Sequence, residues 1–210
     1  MFLPEGVYTL KKDLRIPNAV PGETPRFVIT GEISSIYKKD GKTRKVHNVI
    51  VLPSLEVADE LAAKLEAIGN IHSDGRPILG LDSRDLLEIT LETCPDAEFI
   101  PAHIWTPHFS MFGAFSGFDS IEACFGDLTS HIHAVETGLS SDPPMNWRVS
   151  ALDNLTLVSP QMLTLHQNWD VKQICSIPGL PTRIGSCNSG LEKGFLGTVE
   201  FFFPKKENTT

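Results

Sequence analysis

The sequence predicts an α/β fold. Three observations carry the prediction. Strand-like apolar runs alternate with stretches of helical periodicity, several of those runs close on polar residues, and no internal repeat points to another architecture. The 210 residues suffice for one domain with a sizeable core. Apolar residues at 41% and charged residues at 21% fit a globular chain and exclude a wholly disordered, collagenous or disulfide-scaffold sequence.

Residues 1–26, with Pro4, Pro17, Pro21 and Pro25, read as an irregular lead-in. Phe27 to Thr30 reads as a buried strand ending at Gly31 and Glu32. Ser35 to Tyr37 and Val46 to Leu52 flank Asp40-Gly41, a hairpin signal. Ser54 caps a helix that runs to Ile68 and stops at Gly69, with Leu55, Ala58, Leu61, Ala62 and Leu65 at helical spacing. A loop rich in glycine follows. Asp82 or Ser83 then opens a second helix through Leu86, Leu87, Ile89 and Leu91, which Pro95 ends. Phe99 to His103 is a short strand entering a polar-aromatic loop, and Asp119 to Gly126 a short helix. His133 to Glu136 is a strand, Asn146 to Leu152 a helix, and Leu155 to Val158 the next strand. This alternation predicts a largely parallel sheet.

Glu32, His103 and Glu136 fall at the ends of these strands, where α/β folds gather their ligands. No G-x-G-x-x-G or Walker string is present, no G-x-S-x-G elbow, and no C-x-x-C pair among Cys94, Cys124, Cys175 and Cys187. The cysteines read as ordinary reduced thiols. A net charge of −8 argues against broad electrostatic binding of nucleic acid. It leaves room for a metal-dependent enzyme, since bound cations offset carboxylates locally. No apolar run reaches the roughly 18 residues of a membrane span, and no basic n-region or apolar h-region opens the chain. A cytoplasmic location without membrane contact is expected.

Glu32 suits either a metal ligand or a loop and cap partner. His47 lies on a strand approached by Lys42, Thr43, Arg44 and Lys45; its bland alternative is a half-buried histidine on a backbone group. His103 and His108 share a tight loop with Trp105 and two prolines, a setting shared by structural and site histidines. His131 and His133 form an H-x-H pair that would share one face of a strand, although they precede its apolar part. His72 sits in a loop, as a substrate contact or a solvated side chain. Lys38, Lys39, Lys42, Arg44 and Lys45 against Asp40 make the hairpin tip basic, either a phosphate-facing patch or a solvated turn.

Five strings taken in order resemble one family. They are Thr30-Gly31-Glu32-Ile33-Ser34-Ser35-Ile36-Tyr37, Lys45-Val46-His47-Asn48, the run from Ile68 through His72 and Arg76 to Pro77, the run from Phe99 through His103 to Pro107, and Glu136-Thr137-Gly138-Leu139-Ser140-Ser141-Asp142. Across about residues 5–159 the chain resembles the PHP-domain phosphoesterases, in the branch that includes endonuclease Q. The resemblance implies an incomplete PHP-type distorted (β/α)7 barrel over 27–159 and hydrolysis of phosphoesters. For that branch it implies DNA as partner, nicked beside deaminated or abasic sites. By the same resemblance Glu32, His47 and His103 hold one divalent metal, Zn or Mn, for which a mixed His/carboxylate shell is suited. Glu136, His108 and His72 are additional candidate site residues, and Lys42, Arg44 and Lys45 candidate phosphate contacts.

Two departures qualify the resemblance. The family's Asp-Leu-His-x-His strand and Asp-x-x-His segment do not occur in this chain, and Pro160 to His166 replaces its Asn-Ser-Asp-Ala-His-Ser string. Back-translating Gln161 to Cys175 and shifting the frame by two bases permits strings like the family's. Residues 194–202 again look like the family in the present frame, and the tail does so when shifted. The expectation is an N- and C-terminally incomplete, frame-disrupted chain, with 160–193 out of frame and 194–210 a family-like strand and disordered tail. It would be inactive as it stands. A PHP phosphatase acting on a small phosphomonoester and a non-catalytic binding fragment are the alternatives.

Overall fold

The computed structural model describes residues 7, 8, 11, 26–72, 76–137, 143–158 and 196–200, the last range by its backbone. Its organising element is a long hairpin. Strand β1 (Arg26–Lys39) and strand β2 (Lys42–Leu52) pair antiparallel from Ile29↔Leu52 to Lys39↔Lys42. Asp40 and Gly41 make the turn with φ of 52° and 73°. Two successive positive φ angles match the right-handed twist of the strands, and Asp-Gly tolerates them.

Around the hairpin lie α1 (Leu55–Ile68), β3 (Ile78–Leu79), α2 (Ser83–Thr93), β4 (Glu98–Pro101) and α3 (Ile121–Phe125). Then come β5 (Ala134–Glu136), α4 (Pro143–Asn146), β6 (Thr156–Val158) and β7 (Leu196–Glu200). The main sheet runs β3-β1-β2-β4, with β7 also on β1; β5 and β6 form a parallel pair. The strand β4 pairs antiparallel with β2, while β3 and β7 pair parallel with β1. The sheet is therefore mixed rather than largely parallel. The tight Asp40-Gly41 turn makes β1 and β2 antiparallel, which strand and helix alternation alone does not reveal. Among the described residues no closed barrel is formed.

Helix starts follow their caps. The side chains of Ser54, Asp82 and Ser120 accept hydrogen bonds from the backbone N–H groups of Val57, Arg84 and Ala123, respectively. Ala58, Leu61 and Leu65 of α1 and Leu86, Leu87 and Thr90 of α2 are buried. They cover one face of the hairpin, where Ile29, Ile33, Val46, Ile50 and Leu52 join Phe99 and Phe125 in the core. Leu55 opens α1 but is exposed. The helix expected over 146–152 resolves into α4 and a separate 3-10 turn at Ser150–Leu152. Cys94 and Cys124 are buried free thiols, and burial pushes the Cys124 thiol up to about 12. The segment 160–193, most of the lead-in, and Cys175 and Cys187 lie outside the described residues. No described helix is long and apolar enough to cross a membrane.

The hairpin's two faces differ in kind. Val28, Thr30, Glu32 and Ser34 alternate with the core set along β1; the register places Ser34 opposite His47 and Glu32 opposite Val49. Glu32 therefore sits inside a continuous strand, not at the end of one. Pairing with β2 carries β1 straight through Gly31.

Glu98 lies on β4 and is 3% exposed, with Oε1 3.3 Å from His133 Nδ1. That approach meets ion-pair distance without forming a hydrogen bond at Oε1. Burial pushes the Glu98 carboxyl above its ordinary 4.5, and the His133 imidazole offsets this only in part. A raised folded value leaves stability intact below the unfolded value and lowers it as pH climbs through the folded one. Glu98→Gln is expected to match the unsubstituted chain in urea unfolding at about pH 4 and to exceed it at about pH 7. The same urea midpoint difference at both pH values would contradict this.

Candidate metal centre

The three side chains of the site come from three segments. Glu32 and His47 lie on the hairpin face opposite the helices, and the pairing makes them diagonal neighbours. Their Oε1 and Nδ1 atoms are 3.2 Å apart. His103 follows β4 by two residues. Ala102 N–H donates to the His47 carbonyl at 2.9 Å, which brings the end of β4 alongside the site. His103 then takes φ +33°, a backbone region rare for residues other than glycine. Its Nε2 lies 3.0 Å from His47 Nδ1, with the two rings edge to face.

A carboxylate oxygen of Glu32, a ring nitrogen of His47 and a ring nitrogen of His103 lie within 4.8 Å of one another. This fits one cation. A Zn ion with bonds of about 2.0 Å sets tetrahedral ligand atoms about 3.3 Å apart, close to the 3.2 and 3.0 Å measured for two of the pairs. One carboxylate oxygen and two imidazole nitrogens are a donor set that suits Zn or Mn.

Surrounding groups hold these ligands. Glu136 is buried on β5, and its Oε2 accepts the His103 backbone N–H. The same oxygen is 3.6 Å from His103 Nδ1. A carboxylate on that side favours the proton on Nδ1 and leaves the Nε2 lone pair facing His47. Thr106 N–H donates to the His103 carbonyl at 3.0 Å, and its hydroxyl lies between the carbonyls of His108 and His103 at 2.8 and 3.2 Å. His47 is 5% exposed and its ring stacks obliquely on Phe109 at 4.8 Å, while its backbone N–H donates to the Phe109 carbonyl. The loop after β4 thus takes over the edge of β2 that β4 leaves at Pro101, a residue with no N–H to donate.

Charge at the centre is set by burial and by Arg76. Burial lowers the affinity of His47 for a proton, and the nearby Arg76 charge adds to this against the Glu32 hydrogen bond. The neutral imidazole that results is the form that ligates. Burial alone would raise the Glu32 carboxyl, but the His47 hydrogen bond and the Arg76 charge outweigh it and hold the group below its ordinary range. Arg76 Nη1 lies 3.2 Å from Glu32 Oε1.

Other expected site residues lie apart from this cluster. His72 pairs through Nε2 with Glu66 at 2.8 Å, near the end of α1. His108 is exposed and stacks on Phe115 at 4.7 Å. His131 lies in a 3-10 turn, and His133 faces Glu98. Lys42 is exposed at the hairpin tip. Arg44 stacks over Phe118 and donates to the Gly117 carbonyl, and Lys45 lies over Phe109 at 5.1 Å. Arg76, although inside one of the motif strings, and Phe109 were not among the expected site residues. Both reach the site from loops, and only the closure of those loops reveals them.

No protein-family model, curated protein or solved structure matches the chain.

Glu136 acts through His103. Glu136→Gln keeps the size of the side chain but removes the charge that orients the imidazole. The variant is expected to bind Zn about 10- to 100-fold more weakly, measured by competition with a chromophoric chelator. Unchanged Zn affinity would show that Glu136 does not position His103.

Proposed function

We propose that this chain is a divalent-metal-binding relative of the PHP phosphoesterases, in the endonuclease Q-like branch, built as part of a PHP-type (β/α)7 barrel. The reaction of that branch is hydrolysis of a DNA backbone phosphodiester near a deaminated or abasic site. The convergence of Glu32, His47 and His103 supports the reading, because three ordered motifs distant in sequence meet at one cluster of ligand atoms.

A bound divalent ion would polarise a phosphoryl oxygen and lower the pKa of water. The chain's own residues have simpler tasks. Glu32 supplies the anionic ligand, and His47 and His103 supply neutral nitrogens. Glu136 orients His103, while Phe109 shields His47 from water. Lys45 lies over the Phe109 ring that packs on His47, and its charge would favour an anionic substrate near the site.

The described residues bring together one such ligand set, and the sequence contains neither Asp-Leu-His-x-His nor Asp-x-x-His. The chain alone is therefore proposed to bind metal and to hydrolyse DNA weakly or not at all. Each missing electrostatic contact to a developing charge costs a factor of about 100 or more. A second reading, a phosphatase acting on a small phosphomonoester, draws support from the net charge of −8, which disfavours a long polyanion.

The test is the full chain with Mn or Zn on duplex DNA carrying uracil or hypoxanthine, beside p-nitrophenyl phosphate. At most trace nicking at the lesion is expected, dependent on metal and lost in His103→Ala. Robust nicking that disappears in His103→Ala would show that one ligand set suffices. Turnover of p-nitrophenyl phosphate without nicking would favour the second reading.

A further inference from the structure

Glu32 is the one carboxylate among the three ligands, so its charge is what a cation would seek first. That charge is already shared. Arg76 Nη1 and His47 Nδ1 each lie 3.2 Å from Oε1. Among the described residues, Glu32 is the one carboxylate in an ion pair with Arg76. The Arg76 side chain is 48% exposed, so packing does not pin the guanidinium in place.

We propose that Arg76 is a built-in competitor of the metal ion, and that a phosphate-type oxyanion relieves the competition. The inference rests on the metal reading of Glu32, His47 and His103. An arriving divalent ion meets a carboxylate whose charge the guanidinium has partly neutralised, and the two cations repel across a shared oxygen. The guanidinium can instead turn outward to an oxyanion. Its planar fork matches two phosphate oxygens, which an ammonium point charge does not. Cation and oxyanion then load the site together, and each strengthens the binding of the other by the same factor.

This gives Arg76 a role distinct from an ordinary surface ion pair. An isolated pair would contribute little and leave metal binding untouched. A competitor instead weakens metal binding in the absence of anion, and makes that binding respond to anion.

The experiment titrates Mn into the full chain, with free Mn read by electron paramagnetic resonance, with and without inorganic phosphate. The chains compared are the unsubstituted protein, Arg76→Gln, Arg76→Lys and His103→Ala. Without phosphate, Arg76→Gln is expected to bind Mn about tenfold more tightly than the unsubstituted chain. Phosphate is expected to tighten Mn binding about tenfold in the unsubstituted chain and far less in Arg76→Gln. Arg76→Lys keeps the charge and is expected to bind Mn without phosphate as the unsubstituted chain does. Equal or weaker Mn binding in Arg76→Gln would overturn the proposal, as would an equal phosphate response in both chains or tightening in Arg76→Lys. No Mn binding by the unsubstituted chain, or undiminished binding by His103→Ala, would overturn the metal reading itself and this inference with it.

Discussion

The register of the β1–β2 hairpin decides which side chains enter the core and which face Glu32 and His47 present. Side chains alternate along a strand, so a slip of one residue would carry Ile29 and Ile33 out of the core and Glu32 into it. Two features fix the register. The Asp40-Gly41 turn sets the pairing at the tip, and the apolar alternation of Ile29, Ile33, Val46, Ile50 and Leu52 sets it along the length. The core face thus determines where the polar face points. Glu32 and His47 become diagonal neighbours because the residues that alternate with them, Ile33 and Val46 among them, are drawn into the core on the other face.

His103, the third candidate ligand, needs a different device, since β4 stops at Pro101. Two residues later His103 adopts a left-handed backbone conformation, which costs on the order of 1–3 kcal/mol for such a residue. The neighbouring segments hold it there. Ala102 donates to His47, Ile104 donates to the Glu136 carbonyl, and the Glu136 carboxylate takes the His103 N–H. Strain of this kind persists where surrounding bonds over-determine it, and here it aims an imidazole at two other ligands.

Much of this was legible in the sequence. Ser54 and Gly69 bound α1, Asp82 caps α2, and Asp40-Gly41 marks the turn, because each acts through its immediate neighbours. Glu32, His47 and His103 were singled out by ordered motifs, and the structure brings their candidate ligand atoms together. Their strand context was less legible, as Gly31 reads as a break and long-range pairing overrides it. Arg76, Phe109 and the orienting role of Glu136 depend on how loops close over the hairpin, which no local pattern encodes. His72 and His108 carry the right chemistry, yet His72 pairs with Glu66 and His108 stacks on Phe115.

The central claim is that one oxygen of Glu32 and one nitrogen each of His47 and His103 share a single metal ion. Zn X-ray absorption on the full chain loaded with one equivalent of Zn tests it most directly. The expected spectrum has nitrogen and oxygen scatterers at about 2.0–2.1 Å, the outer-sphere pattern of two imidazoles, and no sulfur. Half of the imidazole signal should vanish in His47→Ala. Sulfur scattering at about 2.3 Å, or an imidazole signal unchanged in His47→Ala, would contradict the account.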